Sequence, residues 1–151
     1  MSLQHVASPV TLWFKSGNTV GKVTVSGLNA TGVYRSALSV ESWANEPIMN
    51  VVLRSVQVEF NGGGKAWPTN QIVKGPGVDA RPLPAWGLYA RNVRTLTLED
   101  VGFSLATDDF RPVLHADRVD RLNLDGVKFT RVPGVNAPII TTNVGSLLQN
   151  P

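Results

Sequence analysis

Val93-x-x-Leu96-x-Leu98-x-x-Val101-x-Phe103 is followed by Val119-x-x-Leu122-x-Leu124-x-x-Val127-x-Phe129, so each of the five apolar positions recurs 26 residues later. The same spacing occurs earlier at Ile48, Val51, Leu53, Val56 and Val58, and at Val20, Val23, Val25, Leu28 and Ala30. A helix would keep its apolar residues three and four apart along one face. This unit instead holds period-2 pairs, Leu96 with Leu98 and Val101 with Phe103, separated by a short bend. It reads as short strands joined at corners. A strand-only repeat of about two dozen residues with Gly, Asn, Asp and Pro turns implies an all-β parallel β-helix, a solenoid whose equivalent residues stack about 4.8 Å apart.

Extending the register assigns one partial domain over 1–151, with about five coils near 1–30, 31–60, 85–110, 111–137 and 138–151. Leu3-x-x-Val6 aligns with Leu98-x-x-Val101, which brings the chain in at the middle of a coil, as though severed. Val10, Leu12 and Phe14 precede Val20 as Leu38, Val40 and Ser42 precede Ile48, 28 residues on. Ile139 and Ile140 follow Val113 and Leu114 by 26. Neither end offers an amphipathic cap, and a bare end coil exposes apolar interior and strand edges. The expectation is a part of a longer protein, or one that covers its ends by association.

The segment 61–84 interrupts the repeat. Gly62-Gly63-Gly64 with Pro68, Pro76, Pro82 and Pro84 marks it as a loop. Such a loop either folds down over the side of the stack or carries ligand contacts, with Trp67 inside it and Trp86 just beyond.

Composition narrows the function. Of 151 residues 42% are hydrophobic, enough for an ordered core. The net charge of +3 comes from scattered single Lys and Arg, without the dense basic patch and aromatic array of a nucleic-acid binder. No cysteine and two histidines argue against thiolate and histidine-rich metal sites, and no cofactor is implied. No apolar run approaches the roughly 20 residues of a membrane span. The first residues lack the zones of a secretion signal.

Register also pairs charges on adjacent strands: Arg91 with Asp117, Arg94 with Asp120, and Arg54 with Glu99, which in turn lies against Asp125. These are expected to form a solvated face. Asp108-Asp109 is the adjacent carboxylate pair in a turn-like setting and the catalytic candidate, since glycoside hydrolysis uses two carboxyl groups. The competing reading is a turn held by Asp side chains with Arg111 as ionic neighbour. His115-x-Asp117 with Ser104 or Ser146 does not make a triad without convergence and an oxyanion hole, and His115 takes the position of Tyr89 on the next coil. Gly17-x-x-x-Gly21-Lys22 is one residue short of a phosphate loop and has Val23 in the metal-binding position. Asn29-Ala30-Thr31 fits a glycosylation sequon. Tyr34, Trp43, Trp67, Trp86 and Tyr89 lie at turns or strand edges and are the candidates for stacking on a sugar face.

The stretches 32–42 (GVYRSALSVES), 46–56 (EPIMNVVLRSV), Gly62-Gly63-Gly64, 83–93 (LPAWGLYARNV) and 109–114 (DFRPVL) resemble the C-terminal coils of bacterial polygalacturonase-like proteins, family 28 glycoside hydrolases. The resemblance implies a right-handed parallel β-helix, a pectin-type polysaccharide ligand, and a secreted or periplasmic location. The family's signatures, Asn-Thr-Asp, Asp-Asp before a cysteine or small apolar strand, Gly-His-Gly and Arg-Ile-Lys, are absent, and Asp108-Asp109 runs into Phe110-Arg111-Pro112 instead. No catalytic residue carries over, and whether the chain is an enzyme stays open. It resembles the stem of such an enzyme, inactive alone, with the missing N-terminal coils as partner. The alternative is a stand-alone structural or saccharide-binding module that forms a homo-oligomer through its ends.

Overall fold

The computed structural model describes residues 1–75, 77 and 80–151; Pro76, one of the loop-marking prolines, lies outside the described residues. Among the described residues ten strands form: β1 (Ser2–Gln4), β2 (Thr11–Phe14), β3 (Lys22–Val33), β4 (Leu38–Ser42), β5 (Ile48–Gly62), β6 (Leu88–Thr107), β7 (Leu114–Asp125), β8 (Lys128–Phe129), β9 (Ile139–Thr142) and β10 (Ser146–Asn150). Among the described residues there is no helix. The strands join in one curled sheet in which every pairing is parallel.

The repeat of apolar residues is the register of that sheet. Val51 pairs with Leu96, Leu96 with Leu122, and Leu122 with Leu147; Leu53, Leu98 and Leu124 form a parallel line, as do Val58, Phe103 and Phe129. Because side chains alternate faces along a strand, these lines point to one side and fill the inside of the curl. Leu53, Leu96, Leu98 and Leu122 are fully buried there. At the outermost pass the same lines are only partly covered, as at Val23 and Val25.

The long strands bend at single residues in the left-handed region. One set of bends comprises Gly27, Ser55, Asp100 and Gly126; the other comprises Asn92, Arg118 and Asn143. A single residue with φ near +55° redirects the strand while leaving the ladder intact on both sides. It costs roughly 1–2 kcal/mol for a residue with a side chain, less for Asn or Asp. The bends divide the sheet into three columns. The first contains β2, β4, the starts of β6 and β7, and β9; the second runs from the start of β3 to β10; the third runs from β1 to β8.

Two register expectations are corrected. Leu3 pairs with Ala30, the Phe103 position of the unit, so β1 belongs to the third column and not beside Leu98. The spacing of three in Leu3-x-x-Val6 marks a bend, here His5 at φ 51°, but every bend has that spacing and it does not say which column is meant. Likewise Leu114 pairs with Ile139, not Ile140. Only one of two consecutive isoleucines can face inward, and a slip of one residue exchanges the faces. Ile139 packs on the core and Ile140 is turned out.

The 61–84 segment remains in β5 as far as Gly62, and of its described residues Val73, Arg81 and Leu83 then lie over the outer face of the first column. Ala37, Leu83 and Tyr89 form a second, smaller apolar cluster beneath it, with Val73 packed on them. Ser36 Oγ donates to Arg81 O at 2.9 Å. Val73, Arg81 and Leu83 thus cover part of the side of the stack.

Candidate functional site

Outward residues of the first column alternate in two lines. Ser39, Tyr89, His115 and Ile140 form one; Trp13, Glu41, Arg91, Asp117 and Thr142 form the other. The second line is ionic. Arg91 Nη1 donates to Asp117 Oδ2 at 3.1 Å, and the Arg91 guanidinium lies over the Trp43 ring at 4.0 Å. Trp43 Nε1 donates to Glu41 Oε1 at 3.2 Å. From the loop, Arg81 also donates to Glu41 Oε1 and fixes Lys74 O at 2.8 Å. Glu41 is completely buried, and its second oxygen has no hydrogen-bond partner among the described residues. A buried carboxylate survives only with such a cation beside it.

The expected cross-strand pairs are present: Arg91 with Asp117, Arg94 with Asp120 at 3.6 Å, and Arg54 with Glu99 at 2.6 Å. The Arg91–Asp117 pair is not part of a solvated face, however, because both side chains are about four-fifths covered.

Asp109 is fully buried and receives four hydrogen bonds: from Arg111 Nε at 2.9 Å, Arg111 Nη2 at 2.7 Å, Arg111 N at 3.1 Å and Gly64 N at 3.0 Å. Burial pushes its carboxyl up, but the Arg111 side chain and charge and the two backbone donors outweigh that and hold it below the usual carboxylate range. A side chain on residue 64 would bring its Cβ to 2.5 Å from this carboxylate, so the close approach requires glycine. Asp109 is thus occupied as the clasp on the start of the loop. Asp108 is exposed, and its carbonyl accepts from Gly63 N at 3.0 Å. The two aspartates diverge, one inward and one outward.

The five aromatic candidates are distributed, not gathered. Tyr34 is 56% exposed, and Trp43 and Trp67 are half-buried. Trp86 and Tyr89 are corrected: they are 3% and 1% exposed and offer no face to a ligand. Trp86 is enclosed edge-on against Phe60, and Tyr89 is roofed by Leu83 and Val73. Sequence position at a strand edge did not reveal the roof, which comes from Leu83 and Val73 of the non-repeating segment. Among the described residues no ring contact joins two of the five.

Trp67 contributes to a cleft of about 600 Å³ lined also by Gly62–Gly64, Arg35, Lys65, Arg81 and Arg111. Arg81 and Arg111 spend their charge on Glu41 and Asp109. Arg35 and Lys65 are exposed and meet no carboxylate among the described residues. The cleft therefore combines a flat ring with positive charge that no carboxylate among the described residues pairs. Arg35 and Lys65 were not singled out from sequence, where they are two of many scattered cations; only the loop's folding brings them together. Among the described residues no three of His, Asp and Glu converge as a metal site would need.

No family model, no curated protein and no solved structure matches this chain.

Proposed function

We propose that the chain is a right-handed parallel β-helix of about five coils, the C-terminal portion of a polygalacturonase-like carbohydrate-active protein. It lacks the catalytic coils, is inactive alone, and supplies a contact for an acidic polysaccharide. The observation that carries the ligand reading is the cleft beside Trp67, where Arg35 and Lys65, which meet no carboxylate among the described residues, lie next to an aromatic ring. A uronate residue has a carboxylate for the first and an apolar ring face for the second. The saturated Asp109 supports the absence of catalysis here, because a carboxylate already accepting four hydrogen bonds is a poor proton donor or nucleophile.

Binding of polygalacturonate oligomers, measured calorimetrically against neutral dextran oligomers, tests this. The expected result is salt-sensitive binding of the acidic polymer alone, reduced by Arg35→Ala and Lys65→Ala, with no release of reducing ends. Equal binding of dextran, or none of either, would remove the ligand reading. Reducing-end release lost in Asp109→Asn would restore catalysis to this chain.

A second reading, a module that oligomerises through its ends, is favoured by β10. Leu147 and Leu148 are 47% and 58% exposed on a strand that pairs only with β7 among the described residues. Light scattering on the 151-residue chain distinguishes the two: a stable oligomer that Leu147→Glu dissociates supports this second reading.

A further inference from the structure

The loop does not cover the whole first column. Along the line Ser39, Tyr89, His115, Ile140 the first two are buried, His115 is half-buried, and Ile140 is 36% exposed. Where the cover ends, a pocket of about 490 Å³ opens between loop residues 66–73 and the turn 134–137, with His115 and Ile140 among its lining residues. That volume lies within the roughly 300–1,000 Å³ of small-molecule sites. It adjoins the cationic cleft, sharing Trp67 as a wall, but its chemistry differs.

We propose that this pocket binds a small, uncharged aromatic ring bearing one hydroxyl group, a phenol-class ligand, held by Trp67 and Phe110 over Ile140 with its hydroxyl hydrogen-bonded to the His115 imidazole. This does not depend on the acidic-saccharide reading.

Three observations carry it. First, ten of the fifteen lining residues are apolar, and none of the described ones is Asp, Glu, Lys or Arg. An ion entering would lose its hydration without a counter-charge, so the occupant is neutral. A sugar ring would bring several hydroxyls and find only Thr69, Gln71, His115 and Asn136 as side-chain partners; a phenol brings one.

Second, two aromatic rings line the pocket. Phe110 is 49% exposed, and its backbone N–H donates to Gly64 O at 2.9 Å. Trp67 Nε1 donates to Gln71 O at 3.3 Å. Two lining rings suit offset or edge-on contact with a third.

Third, His115 is placed to read a hydroxyl. Its ring stands edge-on to Tyr89 at 5.8 Å, and among the described residues its Nε2 has a long 3.4 Å contact with Thr142 Oγ1 alone. Burial lowers its pKa against the opposing pull of Asp117, which leaves a neutral imidazole at pH 7 with one nitrogen to accept a proton donor.

The test titrates 4-methylphenol, toluene, benzoate and methyl glucoside into the full chain at pH 7, followed by tryptophan fluorescence and saturation-transfer NMR. Saturable binding is expected for 4-methylphenol, with toluene and benzoate each about tenfold weaker and methyl glucoside not binding. Phe110→Ala, at a half-exposed site that leaves the circular dichroism unchanged, should weaken 4-methylphenol about tenfold, the equivalent of one aromatic contact. His115→Phe should abolish the preference for 4-methylphenol over toluene. The proposal is overturned if 4-methylphenol does not saturate, if Phe110→Ala leaves its affinity unchanged, or if benzoate or methyl glucoside binds equally well.

Discussion

Arg81 and Glu41, forty residues apart, form an ion pair closed off from water: Glu41 is 0% exposed and Arg81 8%. The pair fastens the late part of the loop to the sheet, while Asp109 with Gly64 fastens its start. Removing one partner strands the other charge in the interior. Arg81→Ala is therefore expected to cost about 3–5 kcal/mol in urea unfolding, as for other buried pairs cut on one side. Hydrogen exchange at Leu83 and Tyr89 should rise with it. A loss under about 1 kcal/mol would mean that water already reaches Glu41.

The Asp109 clasp sets an acid limit. Its folded pKa is depressed, so the folded state binds that proton less readily than the unfolded chain, whose Asp titrates near about 3.9. Its contribution to stability is complete above that value and lost as pH falls through the folded pKa. His115, also depressed, adds a loss in the same direction beginning below its ordinary value of 6.5; the groups facing it are Asp117, Tyr89 and Thr142. Thermal melts should fall from pH 6 toward pH 3. In Asp109→Asn the melting temperature should be lower at pH 6 and the decline below pH 4 shallower; an unchanged slope would show that the acid limit lies elsewhere.

The interior lines are not uniform. Leu96→Ala and Leu122→Ala remove fully buried side chains with neighbours on both adjacent strands, and each should cost about 2–5 kcal/mol. Leu147 continues the same line but is 47% exposed, so Leu147→Ala should cost less than about 1 kcal/mol. Chemical denaturation of the three variants measures this gradient. A large loss at Leu147 would indicate that a second surface covers β10 in solution.

The parallel register was legible from sequence because the apolar line is an interior requirement repeated on each pass: Leu96 had to meet Leu122 for either to be buried. The ion pairs followed from the same arithmetic. The roof over Tyr89 was not legible, since Leu83 and Val73 reach Tyr89 through a segment without periodicity. Nor was Glu41–Arg81, although aligning Leu38 with Leu88 would have set Glu41 on the Arg91 line and raised the question of its counter-charge. The Asp109 clasp was half legible. Arg111 beside it could be read directly, whereas the two backbone donors and the glycine that lets one approach belong to the fold.

Ser55 offers the most direct test of the strand bends. It holds φ at 52° where the neighbouring passes carry Gly27 and Gly126 at 63° and Asp100 at 52°. Ser55 is exposed, so its side chain contributes little that would be missed. Ser55→Gly relieves roughly 1 kcal/mol of left-handed strain, set against the greater freedom glycine adds to the unfolded chain, and should raise stability by about 0.5 kcal/mol. Ser55→Val places a β-branched side chain in the same conformation and should lower it by more than about 1 kcal/mol. The opposite order in guanidinium unfolding would mean that the bend between Arg54 and Val56 is formed by something other than a single left-handed residue.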